Sequence, residues 1–315
     1  MSRWVIAAML LLAELAQPAS ADLPQDLKGA RELLGFGLDA PRLSEGIARA
    51  PGGRALLADR GNARVALIDL EGRIHQTWGG YGREPGQFVL PIDVAATGDG
   101  FLALDRYARR VVRHRFDEAP GSAGETLALA GVEDPEAIEG LPDGGFLVLD
   151  AGRNAILRFD ARGALTATFG SFGRGAEGMS CPHDMLLAPD GVLYVADAGN
   201  RRIQRYWLGG AGARLGESQL PAGACLGPWG EFGDGPGQFR DPTGLALDPA
   251  GNLIVADHYG HRLVVLDRAT GAEITSRRLV LPLAIRYPTR LLVLGDGRCL
   301  VSCAQPSEVW LLTCP

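Results

Sequence analysis

Prolines recur along the chain at Pro41, Pro91, Pro135, Pro182, Pro242 and Pro288, and the residues directly behind them are the ones that could do chemistry. They are Arg42, Ile92-Asp93, Glu136, His183-Asp184, Thr243 and Thr289-Arg290. Brought to one place, Asp93, Glu136, His183 and Asp184 would offer carboxylate and imidazole donors of the kind that hold Ca2+ or Zn2+. We therefore take Asp93, Glu136, His183, Asp184, Thr243 and Arg290 as the candidate ligand-binding set, with His183 and Asp184 as the candidate metal ligands. A single His follows these prolines, whereas a zinc centre takes three or four protein ligands. A hydrogen-bonded, structural His183 is the competing reading.

Other chemistries find little support. No Ser or Cys stands in a nucleophile-elbow pattern and no glycine segment has P-loop spacing. Lys28 is the only lysine of the chain, so an internal Schiff base has no residue to form on beyond it. His75, His114, His258 and His261 are scattered, and the pair in His258-Tyr259-Gly260-His261 reads more simply as a polar turn. The formal net charge of −6 argues against nucleic acid as a partner. The basic run Arg106, Arg109, Arg110, Arg113, His114 and Arg115 spans a turn and a strand, which sends its charges to both faces.

The elements that must position these residues repeat. An apolar, β-rich run ends in Asp and is followed, five positions on, by Arg: Asp59 with Arg64, Asp105 with Arg110, Asp197 with Arg202, Asp257 with Arg262. Asp150 ends a fifth copy, in which Ala155 replaces the Arg. Successive Asp residues lie 46, 45, 47 and 60 positions apart. Gly-rich connectors run in phase, at Trp78-Gly79-Gly80-Tyr81-Gly82, Phe169-Gly170-Ser171-Phe172-Gly173 and Trp229-Gly230-Glu231-Phe232-Gly233. A period in this range marks a repeat architecture whose units cannot bury their faces alone.

Across residues 41–315 these units resemble the NHL repeat. The resemblance implies an all-β, six-bladed β-propeller, each blade a four-stranded meander. The proline would open the innermost strand, where its missing N–H does no harm. The run before Asp would be a second strand buried on both faces. Asp and Arg would clasp the turn between the second and third strands. The sixth unit replaces that clasp by Cys303 and Glu308 and offers three strands, so residues 32–38 are expected to supply the fourth and close the ring. The residues behind the prolines would then crowd the mouth of the central channel. Peptidylglycine amidating lyases also resemble NHL propellers and place metal-binding His and a neighbouring Asp after such prolines; this chain matches that pattern once, at His183-Asp184.

Residues 1–21 read as a cleavable signal peptide: Arg3, an apolar stretch from Trp4 to Ala13, then Ala19-Ser20-Ala21. Residues 22–40 would be an N-terminal segment with the closing strand, and 41–315 the propeller. An exported protein meets an oxidising compartment, so cysteine pairing is expected. Cys225 falls in an insertion between Leu208 and Gly230 and could be tied to Cys181; a Cys299–Cys314 bond could fix the last strand. The expected function is a secreted or periplasmic binding module for a protein, peptide or glycan, acting as a monomer without a transmembrane segment. The alternative is a metal-dependent propeller lyase or lactonase with its site at the channel mouth.

Overall fold

The computed structural model describes residues 31–34, 44–119, 121–209, 220–278, 286–305 and 308–314. They form six four-stranded antiparallel blades arranged as a β-propeller. From the axis outward, blade 1 is Ser44–Ala50, Arg54–Asp59, Arg64–Ile68 and Ile74–Gly79, and blade 2 is Pro91–Ala96, Gly100–Asp105, Arg110–Arg115 and Glu125–Ala128. Blade 3 is Pro135–Gly140, Phe146–Asp150, Ala155–Phe159 and Leu165–Phe169. Blade 4 is Pro182–Leu187, Val192–Asp197, Arg202–Trp207 and the short Ala224–Cys225, and blade 5 is Pro242–Leu247, Leu253–Asp257, Arg262–Leu266 and Glu273–Arg278. Blade 6 is Arg286–Val293, Arg298–Gln305 and Glu308–Thr313, completed by the N-terminal strand Arg31–Leu34, which pairs with Glu308–Thr313. The ring therefore closes as the sequence predicts. Residues 1–21, expected to be a signal peptide, lie outside the described residues, as do Pro41, Arg42 and much of the insertion in blade 4. Among the described residues no helix is long and apolar enough to cross a membrane.

The core is divided among the wedges between blades rather than gathered in one place. Ile92, Leu102 and Leu104 of blade 2 meet Phe146, Val148 and Leu157 of blade 3, and equivalent clusters fill the other interfaces. Every second strand contributes to two wedges at once: Leu147 and Leu149 face blade 4 while Phe146 and Val148 face blade 2. This two-sided burial is why these runs lack polar alternation.

The clasp forms, and it reaches further than the turn. Arg64, Arg110, Arg202 and Arg262 meet Asp59, Asp105, Asp197 and Asp257 at 2.7, 3.2, 2.7 and 3.0 Å. The same carboxylates also accept from the connector that leads into the blade: Asp105 from the amides of Val89 and Leu90, Asp197 from Ser180, and Asp257 from Arg240 and Asp241. Asp150 has no Arg and takes the amides of Glu133, Asp134 and Gly152 instead. Each Asp is fully buried, and in blades 2 to 5 it binds turn and connector into one unit.

One sequence expectation is corrected, and the expected disulfides are not seen. Blade 1 is opened by Ser44, not Pro41: Ser44 stands opposite Asp59 as Pro91 stands opposite Asp105. No disulfide joins Cys181 to Cys225 or Cys299 to Cys314. Cys225 points its thiol to the carbonyl oxygen of Ala176, at 3.2 Å, while Cys181 is exposed. Cys299 stands across from Leu312, and Cys314 is two positions further along, with its amide on Gly297.

Candidate functional site

Each inner strand opens with a bulge. Pro135 faces Asp150 and Ala137 faces Leu149, so Glu136 has no partner opposite it; the same slip follows Pro91, Pro182, Pro242 and Pro288. A bulge re-aims side chains. Here it separates the residue directly after the proline from the one after that, and the candidate set falls into two groups with different surroundings.

The first group belongs to the mouth, the face that also carries the turns between second and third strands and the connectors between blades. Glu136 accepts from Arg106 at 2.6 Å and lies 3.3 Å from His183 Nδ1. Arg106 also holds Asp134 through two bonds of 2.6 and 2.7 Å. Burial works to raise the Glu136 pKa, but the hydrogen bond to His183 and the charges of Arg106 and Arg290 outweigh it and keep the carboxyl below its usual range. Glu45 pairs with Arg60, and Asp241 with Arg201. Thr243 is buried, its hydroxyl on the carbonyl oxygens of Pro288 and Ala256 at 3.0 and 3.3 Å.

The second group lines the channel itself. In ring order the residues two places behind each strand opening are Gly46, Asp93, Ala137, Asp184, Gly244 and Arg290. Charged side chains thus alternate with residues too small to obstruct them. A Cβ on Gly46 would stand 2.2 Å from Asp93 Oδ1, and one on Gly244 would stand 2.4 Å from the carbonyl oxygen of Thr289. Each carboxylate also staples its blade to the next: Asp93 takes the amide of Ile138 at 2.9 Å and Asp184 that of Leu245 at 2.8 Å.

Arg290 lies across this ring. Its guanidinium donates to the carbonyl oxygens of Glu136 at 3.0 Å, His183 at 2.7 Å and Thr243 at 3.4 Å, and approaches Asp184 to 3.6 Å. Burial disfavours its charge, yet Asp184, Asp93 and Glu136 together hold its pKa above the ordinary arginine value. Below it a cavity of about 330 Å³ extends between the inner strands to their far ends at Ala96, Gly140, Leu247 and Val293. Asp93, Asp184, Glu139, Arg290 and Arg49 line it together with apolar side chains of the inner strands. Desolvation, only partly offset by Arg290, pushes Asp93 up to about 7. Glu139, desolvated and close to the charges of Asp184 and Asp93, is pushed up to about 8.

The structure therefore unites Glu136 with His183, and Asp93 and Asp184 with Arg290, but it does not unite His183 with Asp184. His183 turns to the mouth and Asp184 to the channel, and among the described residues no three His, Cys, Asp or Glu side chains converge as a metal-ligand set. As placed, these residues do not fit a Ca2+ or Zn2+ centre. Glu45, Glu139 and Asp241 were missed by sequence reasoning. Glu45 is hidden by the absence of a proline in blade 1, and Glu139 lies four places behind Pro135, outside the motif. His258 and His261 are also recruited, by contact with Tyr287: their ring centroids lie 5.1 and 4.7 Å from its own.

Large aromatic side chains complete the mouth. Tyr81, Phe172 and Phe232 occupy the same position in three connectors, and Tyr107 and Tyr259 sit in the turns of blades 2 and 5; all are between 55% and 79% exposed. They are all of the exposed large aromatics among the described residues, and all lie on this face.

Residues 239–266 match the NHL repeat model. No curated protein matches the chain. Solved structures of similar fold include a gluconolactonase described as putative, at 20% identity over 95% of this chain and 96% of that one, TM-score 0.62. The PQQ-bound aldose sugar dehydrogenase of Streptomyces coelicolor is similar at 16% identity over 90% of this chain and 98% of that one, TM-score 0.62. Virginiamycin B lyase of Staphylococcus aureus, in an inactive variant with quinupristin, is similar at 14% identity over 91% and 99%, TM-score 0.59. Likeness at these identities extends to the fold.

Proposed function

We propose that this six-bladed β-propeller, whose residues 239–266 match the NHL repeat, is a non-catalytic binding module whose mouth face takes a protein or peptide partner. The gathering of Tyr81, Tyr107, Phe172, Phe232 and Tyr259 on one face carries this reading. Exposed aromatics beside arginines are the composition of an interaction surface, in which a few such anchors supply most of the affinity. The charges around the mouth fit the same role. Glu45, Glu136 and Asp241 are already paired with Arg60, Arg106 and Arg201, so a partner can cover them without stranding an unpaired charge. The leader-like residues 1–21 support action outside the cytoplasm, in the periplasm or beyond the cell.

The fold is shared with enzymes, and one pair here has catalytic potential: His183, open to the mouth and bonded to Glu136, could exchange a proton with a bound molecule. A lyase or lactonase reading rests on that pair and not on a metal.

The test is affinity capture from the source organism's envelope fraction, followed by calorimetry with the identified partner. The wild-type chain is compared with a Tyr81→Ser, Phe172→Ser, Phe232→Ser triple variant. We expect one saturable partner, lost in the variant at unchanged thermal stability. Retention of every partner by the variant would refute the mouth as the binding face.

A further inference from the structure

A cluster of four rings bridges blades 5 and 6 at the mouth. His258, Tyr259 and His261 come from the turn between the second and third strands of blade 5, and Tyr287 stands directly before Pro288 at the opening of blade 6. Tyr259 meets Tyr287 at 86° with ring centroids 6.0 Å apart, His258 meets Tyr259 at 80° and 4.9 Å, and His261 meets Tyr287 at 70° and 4.7 Å. Packed edge to face, the rings turn their faces nearly at right angles to one another. Solvent reaches them: Tyr259 is 55% exposed, and the other three are half-buried.

The backbone fixes this arrangement. The turn is bracketed by the clasp between Asp257 and Arg262, at 3.0 Å. Tyr287 holds φ at 57°, in the left-handed region that bulky residues rarely occupy, and its amide donates to His261 Nδ1 at 3.4 Å. His258 Nδ1 lies 3.2 Å from the carbonyl oxygen of Pro288, which can only accept. Both imidazoles are thereby held as neutral rings: His261 accepts at Nδ1, and burial keeps the His258 pKa below the ordinary imidazole value. Asp241 acts on His258 from nearby but is paired with Arg201.

These features select the ligand. A flat ring covers one of two perpendicular faces, whereas a compact, rounded group touches both. An anion would meet the negative faces of the rings. A primary ammonium needs acceptors for three N–H donors, and Asp241, Asp257 and the Pro288 carbonyl are already engaged by Arg201, Arg262 and His258. A trimethylammonium group is rounded, has no N–H to satisfy, and is drawn to aromatic faces by its charge.

We propose that the corner between Tyr259 and Tyr287 binds a trimethylammonium group, carried by a small soluble molecule or by a lipid headgroup. The site shares the mouth face with the protein partner but does not depend on one.

The test is ligand-observed NMR and calorimetry on the full chain, with choline, ethanolamine and dimethylbutanol, the neutral isostere of choline with carbon in place of nitrogen. Choline is expected to bind saturably and about tenfold more tightly than either of the others, the factor that cation–π contacts with two partly exposed rings are worth. Tyr259→Leu is expected to remove that preference with an unchanged circular dichroism spectrum, and Tyr259→Phe to keep it. The Tyr81→Ser, Phe172→Ser, Phe232→Ser variant is expected to bind choline as the wild type does, so that loss of the protein partner and loss of this site are read separately. Phosphatidylcholine vesicles separate the two carriers: co-sedimentation reversed by free choline assigns the group to a lipid, and no association assigns it to a soluble molecule. Absence of saturable choline binding to the folded wild-type chain would overturn the proposal, as would equal binding of dimethylbutanol or of ethanolamine, or an undiminished choline preference in Tyr259→Leu.

Discussion

Arg290, in blade 6, donates to the carbonyl oxygen of Glu136 in blade 3 at 3.0 Å, a bond that spans the channel from one side of the ring to the other. The guanidinium reaches His183 in blade 4 and Thr243 in blade 5 from the same position. One side chain thus joins four of the blades at the axis. Arg290→Met keeps the bulk and removes the charge, leaving Asp93 and Asp184 without a cation. The expected loss is on the order of 3–5 kcal/mol of unfolding free energy, as for breaking a buried ion pair. Urea unfolding checks it, and adding Asp184→Asn to the Met variant is expected to return part of the loss.

The channel carboxyl groups make stability depend on pH in the direction opposite to ordinary acid denaturation. Asp93 and Glu139 are raised to about 7 and about 8 in the fold, whereas in the unfolded chain they titrate near about 4. Between those limits the folded state holds more protons than the unfolded one, so their contribution is fully present below about pH 4 and is lost as pH rises through 7 to 8. The slope is at most about 1.4 kcal/mol per pH unit for each proton. Thermal melts from pH 5 to 9 are expected to fall, and Glu139→Gln to flatten the upper part of the decline.

Gly46 occupies its place because Asp93 leans over it. A methyl group there would lie 2.2 Å from Asp93 Oδ1 and 2.4 Å from Asp93 Cα, and the latter is backbone that cannot swing aside. Gly46→Ala is expected to cost about 1–3 kcal/mol, the range of core overpacking. At Ala137, the matching position in blade 3, Ala→Gly is expected to cost less. A pair of denaturation curves decides the comparison.

Blade 5 tests the clasp. Asp257 holds Arg262 and the amides of Arg240 and Asp241. Asp257→Ala strands buried donors and an arginine that is 4% exposed, and is expected to cost on the order of 3 kcal/mol or more. In hydrogen exchange the connector at residues 240–241 should lose protection first.

The propeller, its blade count and the strand that closes it were legible because the repeat writes them several times: Asp59, Asp105, Asp150, Asp197 and Asp257 each mark the end of a buried strand. Ser44 was hidden because the role it shares with the prolines is defined by its pairing with Asp59, not by its side chain. The division of the candidate set was hidden for another reason. His183 and Asp184 are neighbours in the chain, and only the bulge after Pro182 sends one to the mouth and the other to the channel. Arg290 looked like one more mouth residue because its reach across to blade 3 depends on Gly244 and Ala137 being small, a relation between distant repeats. The cysteine pairing was not legible, because it depends on register: Cys299 lies opposite Leu312.

The strand Arg31–Leu34 runs antiparallel to Glu308–Thr313, with Arg31 opposite Leu311 and Leu34 opposite Val309. The chain before Arg31 and the chain after Thr313 therefore leave the ladder at the same end. Tension applied between those two points loads the bonds one after another, as in opening a zipper, rather than all together in shear. In a force spectrometer the ring should part first at this seam and at low force, before any other wedge separates.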